Sequence, residues 1–317
     1  MQRYIARRLL LTIPTLFGVT FVVFLLVRAV PGDVTDLLAG DYGASSPEVK
    51  AAIKKEYSLD KNPVQQYVTW IGQVLRFDLG ESIISGRTVT SELSNRMPVT
   101  LQLSVMAIFF SLLIALPVGI LSAIRQDTPA DYIGRSIAIS ALAVPGFWVG
   151  LLLITLAGRY FAWGVPPKSY IKLTENPIGN IRMLAMPAFI LGAGLAGSVM
   201  RFTRSAMLET LRQDYIRTAW AKGLRERVII VRHAMRNALI PVVTVVGLQL
   251  PILVGGSVII EQVYSIPGMG RYYIASVNSL DYPVIQAINL LVATLVVFTN
   301  IAVDVTYSIL DPRIRYA

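Results

Sequence analysis

Six uncharged stretches dominate the chain, at 9–27, 97–124, 136–158, 183–200, 237–260 and 282–303. A helix rising about 1.5 Å per residue needs about 20 apolar residues to cross about 30 Å of hydrocarbon, and each stretch is near that length. Hydrocarbon offers no partner to a backbone N–H or C=O, so a single segment can cross it only as a helix. Charged residues make up 15% of the sequence, well below the quarter or so usual for a soluble domain. The expectation is an all-α integral membrane protein with six transmembrane helices. With their flanks these are 9–30, 97–124, 135–158, 183–203, 237–262 and 282–308. The first run is longer than the apolar core of a secretory signal and lacks a small-residue cleavage site after it, so it is expected to remain as a helix.

Basic residues close to a membrane stay on the cytoplasmic side. The segment 201–236 carries nine (Arg201, Arg204, Arg212, Arg217, Lys222, Arg225, Arg227, Arg232, Arg236) against Glu209, Asp214 and Glu226. Arg3, Arg7 and Arg8, Arg125 and Arg135, and Arg313 and Arg315 fall on the same side. Both termini are therefore expected in the cytoplasm, as an N-terminal stretch 1–8 and a tail 309–317. The net charge of +10 follows from this bias and calls for no nucleic acid. The external segment 31–96 is expected to be a small helical cap between helices 1 and 2. In it SPEVKAAIKKEYSLD at 46–60 starts like a helix, and Val64, Tyr67, Val68, Ile71, Val74 and Leu75 fall near one helical face. The core 97–308 holds the other five helices and a cytoplasmic loop at 204–236.

That loop contains DYIRTAWAKGLRERV at 214–228, a charged stretch with one glycine. Residues 209–222 suit about three helical turns, Gly223 a helix stop, and the helical pattern resumes before Pro241. A short basic helix across the end of a bundle can be a knob for a groove on a partner or a segment lying on anionic headgroups. Catalytic chemistry finds no constellation. There is no cysteine, His233 is the sole histidine, no metal site is expected, and none of the 23 glycines is followed by Lys, so a phosphate-cradling GxxxxGK[ST] loop cannot form.

RTAWAKG at 217–223 followed by RHAMRNALIP at 232–241 resembles the coupling-loop signature of ABC importer permeases of the dipeptide/oligopeptide/nickel family. ARRLLLTIPTLFGVT at the start, VPGD at 30–33, DLGES at 78–82, RMPVTLQLS at 96–104, EQVYSIPGMGRYYIASVNSLDYPVI at 261–285 and LDPRIRYA at the end are similar to that family in the same order. Arg217, Thr218 and Ala219 stand where the general importer signature has Glu-Ala-Ala, with Gly223 after three further residues. The resemblance implies a type I ABC importer permease fold in a bacterial inner membrane. It implies a chain that is not an enzyme and binds no cofactor, with ATP and Mg used by two cytoplasmic ATPase subunits. A second homologous permease and an external substrate-binding protein would complete the assembly. Tyr215, Arg217, Thr218, Ala219, Trp220, Lys222, Gly223 and Leu224 would make the ATPase contact, Ala219 as its buried centre. Di- or oligopeptides are the implied cargo, with nickel complexes, glutathione or sugars as alternatives.

A different class, the ion-coupled secondary transporter, would place ionisable residues within the spans. Arg28 and Glu261 lie near external ends and Asp304 near an internal end, and none is at a midplane. Candidates for the pathway are Gln249, Gly255, Gly256, Glu261 and Asn289, although polar and small residues also join helices. The stretches 192–199 and 254–257 are glycine-rich and offer close-packing surfaces for a second permease.

Overall fold

The computed structural model describes residues 2–29, 60–160 and 169–310, with Glu48, Ala51, Lys54 and Lys55 between. The expected helix over 46–60, apart from isolated positions, the VPGD stretch at 30–33 and the tail beyond 310 lie outside the described residues. Among the described residues every regular element is a helix, and one isolated bridge joins Glu81 to Thr88. The helices are α1 Gln2–Ala29, α2 Pro63–Val74, α3 Val89–Ile124, α4 Pro129–Ala143, α5 Gly146–Tyr160, α6 Pro177–Leu211, α7 Asp214–Ala221, α8 Met235–Gly256, α9 Val258–Val263, α10 Met269–Asn278 and α11 Tyr282–Leu310. A single α-turn at Glu226–Val228 and a π-turn at Ile229–Ala234 lead into α8.

Five helical stretches are long and apolar enough to cross a membrane: Leu10–Arg28, Val89–Ile124, Pro177–Leu211, Glu226–Gly256 and Tyr282–Val303. The expected third span is instead two helices of 15 residues each, broken at Val144 and Pro145. Proline has no N–H to donate and pushes the residue before it out of the helical region. Val144 accordingly sits at φ −91°, ψ 123°. Other boundaries move as well. α3 begins at Val89 instead of 97, because its polar first turns hold themselves together: Glu92 accepts hydrogen bonds from Arg96 Nε (3.0 Å) and Nη2 (2.8 Å) one turn on. α6 outruns 183–203 at both ends, starting where Asn176 Oδ1 accepts the Gly179 N–H at 2.9 Å ahead of Pro177. The expected 237–262 span is divided at Ser257 into α8 and α9.

The chain packs as two compact units, one of Leu101–Ile266 and the residues from Phe298 on, the other of Gln2–Thr100 with Pro267–Val297. In the first, α6 packs against α4, α5, α8 and α9. Small residues set the spacing: a Cβ on Gly192 would collide with the Ala107 carbonyl oxygen, so α6 and α3 touch backbone to backbone there. In the second, α2 lies on α1 through an aromatic cluster. Tyr67 packs edge-on to Phe17, Phe21 and Phe24, and Trp70 stacks on Phe24. The buried face of α2 is Tyr67 and Trp70 with Ile71 and Val74 beside them, while Val64, Val68 and Leu75, expected on that face, are exposed. The bulk of Trp70 draws the contact one residue round the helix from the face that the aliphatic residues alone suggest.

No span has more than half of its apolar window buried within the chain. The remaining apolar surface faces lipid or another membrane protein.

Candidate coupling segment and pathway residues

The basic stretch between α6 and α8 is a built structure. α6 ends at Leu211, Arg212 and Gln213 form a turn, and α7 starts at Asp214, so the expected helix over 209–222 is broken near its start. Gln213 at ψ 148° leaves the helical region, and its carbonyl accepts the N–H groups of Ile216 (3.0 Å) and Arg217 (3.3 Å) to start α7. The far end stops where the sequence predicts. Gly223 takes φ +71°, its N–H bonds the Trp220 carbonyl at 2.9 Å, and the Leu224 N–H bonds the Ala219 carbonyl at 3.3 Å. This is the Schellman arrangement, which satisfies carbonyls that a helix end otherwise leaves unpaired. Helix, break, helix is therefore the observed order.

Two faces of α7 differ sharply. Ile216 and Ala219 are buried in a cluster with Ala123, Met207, Ile229, Ala234 and Ala238 of the same chain. Tyr215, Arg217, Thr218, Trp220, Lys222, Gly223 and Leu224 are exposed. The expectation that Ala219 is the buried centre of a contact with another protein is corrected here: it faces its own core, because spacing of three brings it onto the side of Ile216. Asn237 Nδ2 donates to Tyr215 Oη at 2.8 Å, tying α7 to the first turn of α8. Asp214 and Arg217 form an exposed pair at 3.2 Å, of a kind worth about 0–1 kcal/mol. Where α7 hands over to α8, the Met235 N–H reaches back to the Ile230 carbonyl, five residues away, which makes the π-turn.

Beside this segment lies a network with no signal in the sequence beyond its charges. Asp131 of α4 is fully buried and accepts hydrogen bonds from Arg204 Nε (3.0 Å) and Nη2 (2.9 Å), from Ser122 Oγ and from the Asp127 N–H (3.1 Å). The Arg204 bond comes first among the causes that hold the Asp131 carboxyl well below the usual carboxylate range; burial opposes it. Three helices, α3, α4 and α6, meet at this one carboxylate.

The pathway candidates divide. Gln249 is buried and donates from Nε2 to Ser198 Oγ at 2.9 Å, joining α8 to α6. Glu261 is fully buried and accepts from Ser257 Oγ at 3.0 Å. Asn289, in the other unit, donates to Tyr273 Oη at 3.3 Å and to the Ile285 carbonyl at 2.8 Å. Gly255 and Gly256 are exposed, and a Cβ on either would meet nothing within 4 Å. In the unit of Asn289, Ser82 Oγ donates to Asp281 Oδ2 at 2.5 Å and the Ile83 N–H to Oδ1 at 3.2 Å. Ser82 ends DLGES, with Ile83 next to it, and Asp281 belongs to NSLDYP, so two motifs far apart in the chain meet at one carboxylate. Burial pushes the Asp281 carboxyl upward.

Residues 115–316 match the family described as binding-protein-dependent transport system inner membrane component, and residues 1–104 match the description of the N-terminal part of such membrane components. The chain belongs to that family. The inner membrane component is 40% identical over 318 residues to the oligopeptide transport system permease protein AppB of Bacillus subtilis (strain 168), covering all of both chains. It is 38% identical over 340 residues to the dipeptide transport system permease protein DppB of Escherichia coli (strain K12), covering 100% of this chain and 99% of that one. Two solved structures share its fold. An inward-facing structure of the MetNI methionine ABC transporter aligns with TM-score 0.56 and 19% identity, over 70% of this chain and 97% of that one. An amino acid ABC transporter solved with histidines aligns with TM-score 0.51 and 16% identity, over 69% and 94%. The expected type I importer permease fold and inner-membrane location are thus borne out, and the secondary-transporter alternative is not favoured.

Proposed function

We propose that this component is one permease subunit of an ATP-driven importer of di- or oligopeptides and forms half of the translocation pathway. An external binding protein delivers the peptide, a second homologous permease supplies the other half, and two ATPase subunits that use ATP and Mg sit at the basic end of the bundle. Full-length similarity to permeases named for oligopeptide and dipeptide transport supports the cargo. The exposed face of α7 carries the coupling reading. It presents two aromatic rings, Tyr215 and Trp220, at an orientation set by the Gly223 stop, the Asn237 hydrogen bond and the buried pair Ile216 and Ala219. Amphipathic knobs of this kind seat in grooves, and fixing their aim beforehand lowers the ordering cost of docking. Nucleotide-driven closure of the ATPases would then move α7 and, through the π-turn, α8. Gly255 and Gly256, the pathway candidates with open surfaces, would face the pathway or the second permease. Gln249, Glu261 and Asn289 would hold the helices that line it.

The test is uptake into proteoliposomes containing the permease pair, the ATPases and the binding protein. Labelled di- or oligopeptide should accumulate only with ATP on the ATPase side. Accumulation of sugars or nickel complexes without peptide overturns the cargo, and uptake driven by a proton gradient without ATP overturns the importer.

A further inference from the structure

One cavity of the first unit is used by nothing described so far. It has a volume of about 630 Å³ and opens between α4 and the end of α6, within the range of about 300–1,000 Å³ usual for ligand pockets. Arg201, Arg204 and Leu208 form a stripe along one face of α6 that Arg212 continues just past its end, and Arg135 and Ile139, one turn apart on α4, stand across from it. Four guanidinium groups face Glu209, the buried Asp131 and the exposed Asp127, whose Oδ1 lies 4.0 Å from Arg135 Nη2, which leaves the cluster with a positive excess. Arg201 and Arg212 make no side-chain hydrogen bond or ion pair among the described residues. Arg135 Nε is buried without a hydrogen-bond partner, and Nη2 lies 3.2 Å from Asp131 Oδ2 but out of hydrogen-bond alignment. Buried donors of a charged group without a partner are costly, and a phosphate oxygen is the acceptor that the guanidinium fork fits in geometry and charge.

The level of the cavity along α6 indicates what carries the phosphate. The apolar run of this helix ends at Met200 and its basic segment begins at Arg201, and both residues line the cavity. That boundary is where hydrocarbon gives way to headgroups. Met200, Ile139 and Leu208 add an apolar wall, which an acyl chain uses and a free ion does not. We propose that this pocket binds a phosphate group, presented by an anionic phospholipid. Because Arg204 and Arg135 both hold Asp131, the bound headgroup sits on the network that joins α3, α4 and α6 next to the coupling segment. Anionic lipid then favours one arrangement of that junction.

The inference rests on the membrane placement of the chain and is independent of its cargo. The experiment uses the assembled transporter, permease pair with ATPases, in nanodiscs of phosphatidylcholine with phosphatidylglycerol as the minor lipid. Native mass spectrometry reads the phosphatidylglycerol retained after extraction. The wild type should retain it severalfold above its share of the disc, Arg135→Gln/Arg201→Gln should fall to that share, and Arg232→Gln/Arg236→Gln, which removes as much charge outside the pocket, should match the wild type. Excess inorganic phosphate should leave the retained lipid in place; its displacement by phosphate supports the phosphate site while overturning lipid as the carrier. Equal retention in wild type and pocket variant overturns the proposal, as does equal loss in both double variants, which marks a diffuse charge effect. Loss of the ATPases from the pocket variant with lipid retention unchanged overturns it too, in favour of an acidic protein contact. If the pocket variant does not assemble, Arg201→Gln alone, at an exposed helix position, carries the same comparison. Lipid retention is read without transport, so its failure leaves the importer reading standing.

Discussion

Arg204 grips Asp131 with two parallel hydrogen bonds, Nε to Oδ1 at 3.0 Å and Nη2 to Oδ2 at 2.9 Å, across 73 positions of sequence. Such forked pairing combines charge with a fixed geometry, and here it locks α4 to α6 beside the coupling segment. Removing one partner of a buried pair costs about 3–5 kcal/mol, because the other charge is left behind. Asp131→Asn should lower the melting temperature of the purified assembly and loosen ATPase retention, as read by thermal scanning and by subunit ratio after purification. An unchanged melting temperature would remove this junction from the account.

The same carboxylate sets a pH dependence. Its folded pKa is depressed by Arg204, so the stability it contributes is fully present above its unfolded pKa of about 3.9 and is lost as pH falls toward the lower folded value. Wild type should therefore lose stability on acidification below about pH 5, and Asp131→Asn should show a flatter profile there. Thermal scans of both proteins over that range decide it, with parallel profiles counting against the assignment.

Ala219 and Trp220 are neighbours with opposite environments, so their substitutions should separate. Ala219→Glu puts a charge into the cluster around Met207 and Ile229 and should cost several kcal/mol, lowering melting temperature and ATPase retention together. Trp220→Ala removes an exposed ring and should reduce ATPase retention severalfold with the melting temperature unchanged. If Arg212, Arg217 and Arg225 replaced together abolish retention while Trp220→Ala does not, the segment lies on lipid instead.

A Cβ on Gly223 would meet no atom within 4 Å, so the effect of Gly223→Val should be mainly conformational: a left-handed φ of +71° costs a side-chain-bearing residue about 1–2 kcal/mol. The helix stop should weaken, and substrate-stimulated ATP hydrolysis should fall further than ATPase retention. Gly223→Asn should be milder, since Asn tolerates that region. Equal loss in both variants would point to a need for empty space instead of the backbone angle.

Gly192 and Gly194 should part company in the same way. A methyl on Gly192 collides with the Ala107 carbonyl, so Gly192→Ala should destabilise the chain, while Gly194→Ala should be tolerated. Gly194→Cys or Gly255→Cys, both at open positions, should crosslink to an engineered cysteine on the second permease, as seen by a shifted band on a denaturing gel. Crosslinks confined to this chain would assign those surfaces to its own packing.

Much of this protein is written in local sequence. Runs of apolar residues near the thickness of hydrocarbon can only be helices there, so the spans, their approximate order and the helical class follow from composition along the chain. The stop at Gly223 is equally local, since a glycine after a short helix in a charged stretch has few other uses. Motif order pointed to the permease family, because DLGES, RTAWAKG and the Tyr282 region each stand where that family has them. Direction and partnership came from packing. The periodicity of α7 marks a buried face and an open one without saying which protein covers the buried face; the packing of Ile216 and Ala219 against Met207 and Ile229 assigns it to this chain. The break at Pro145 was present as a residue, but prolines at 187, 241 and 251 lie inside continuous helices, and whether a proline bends, breaks or is absorbed depends on neighbouring packing. Asp131 with Arg204, and Ser82 with Asp281, are each a pair of ordinary polar residues in the sequence. They become single structures only when helices remote along the chain bury them together, because in a low-dielectric interior a lone charge must find a partner and sequence separation does not limit which one.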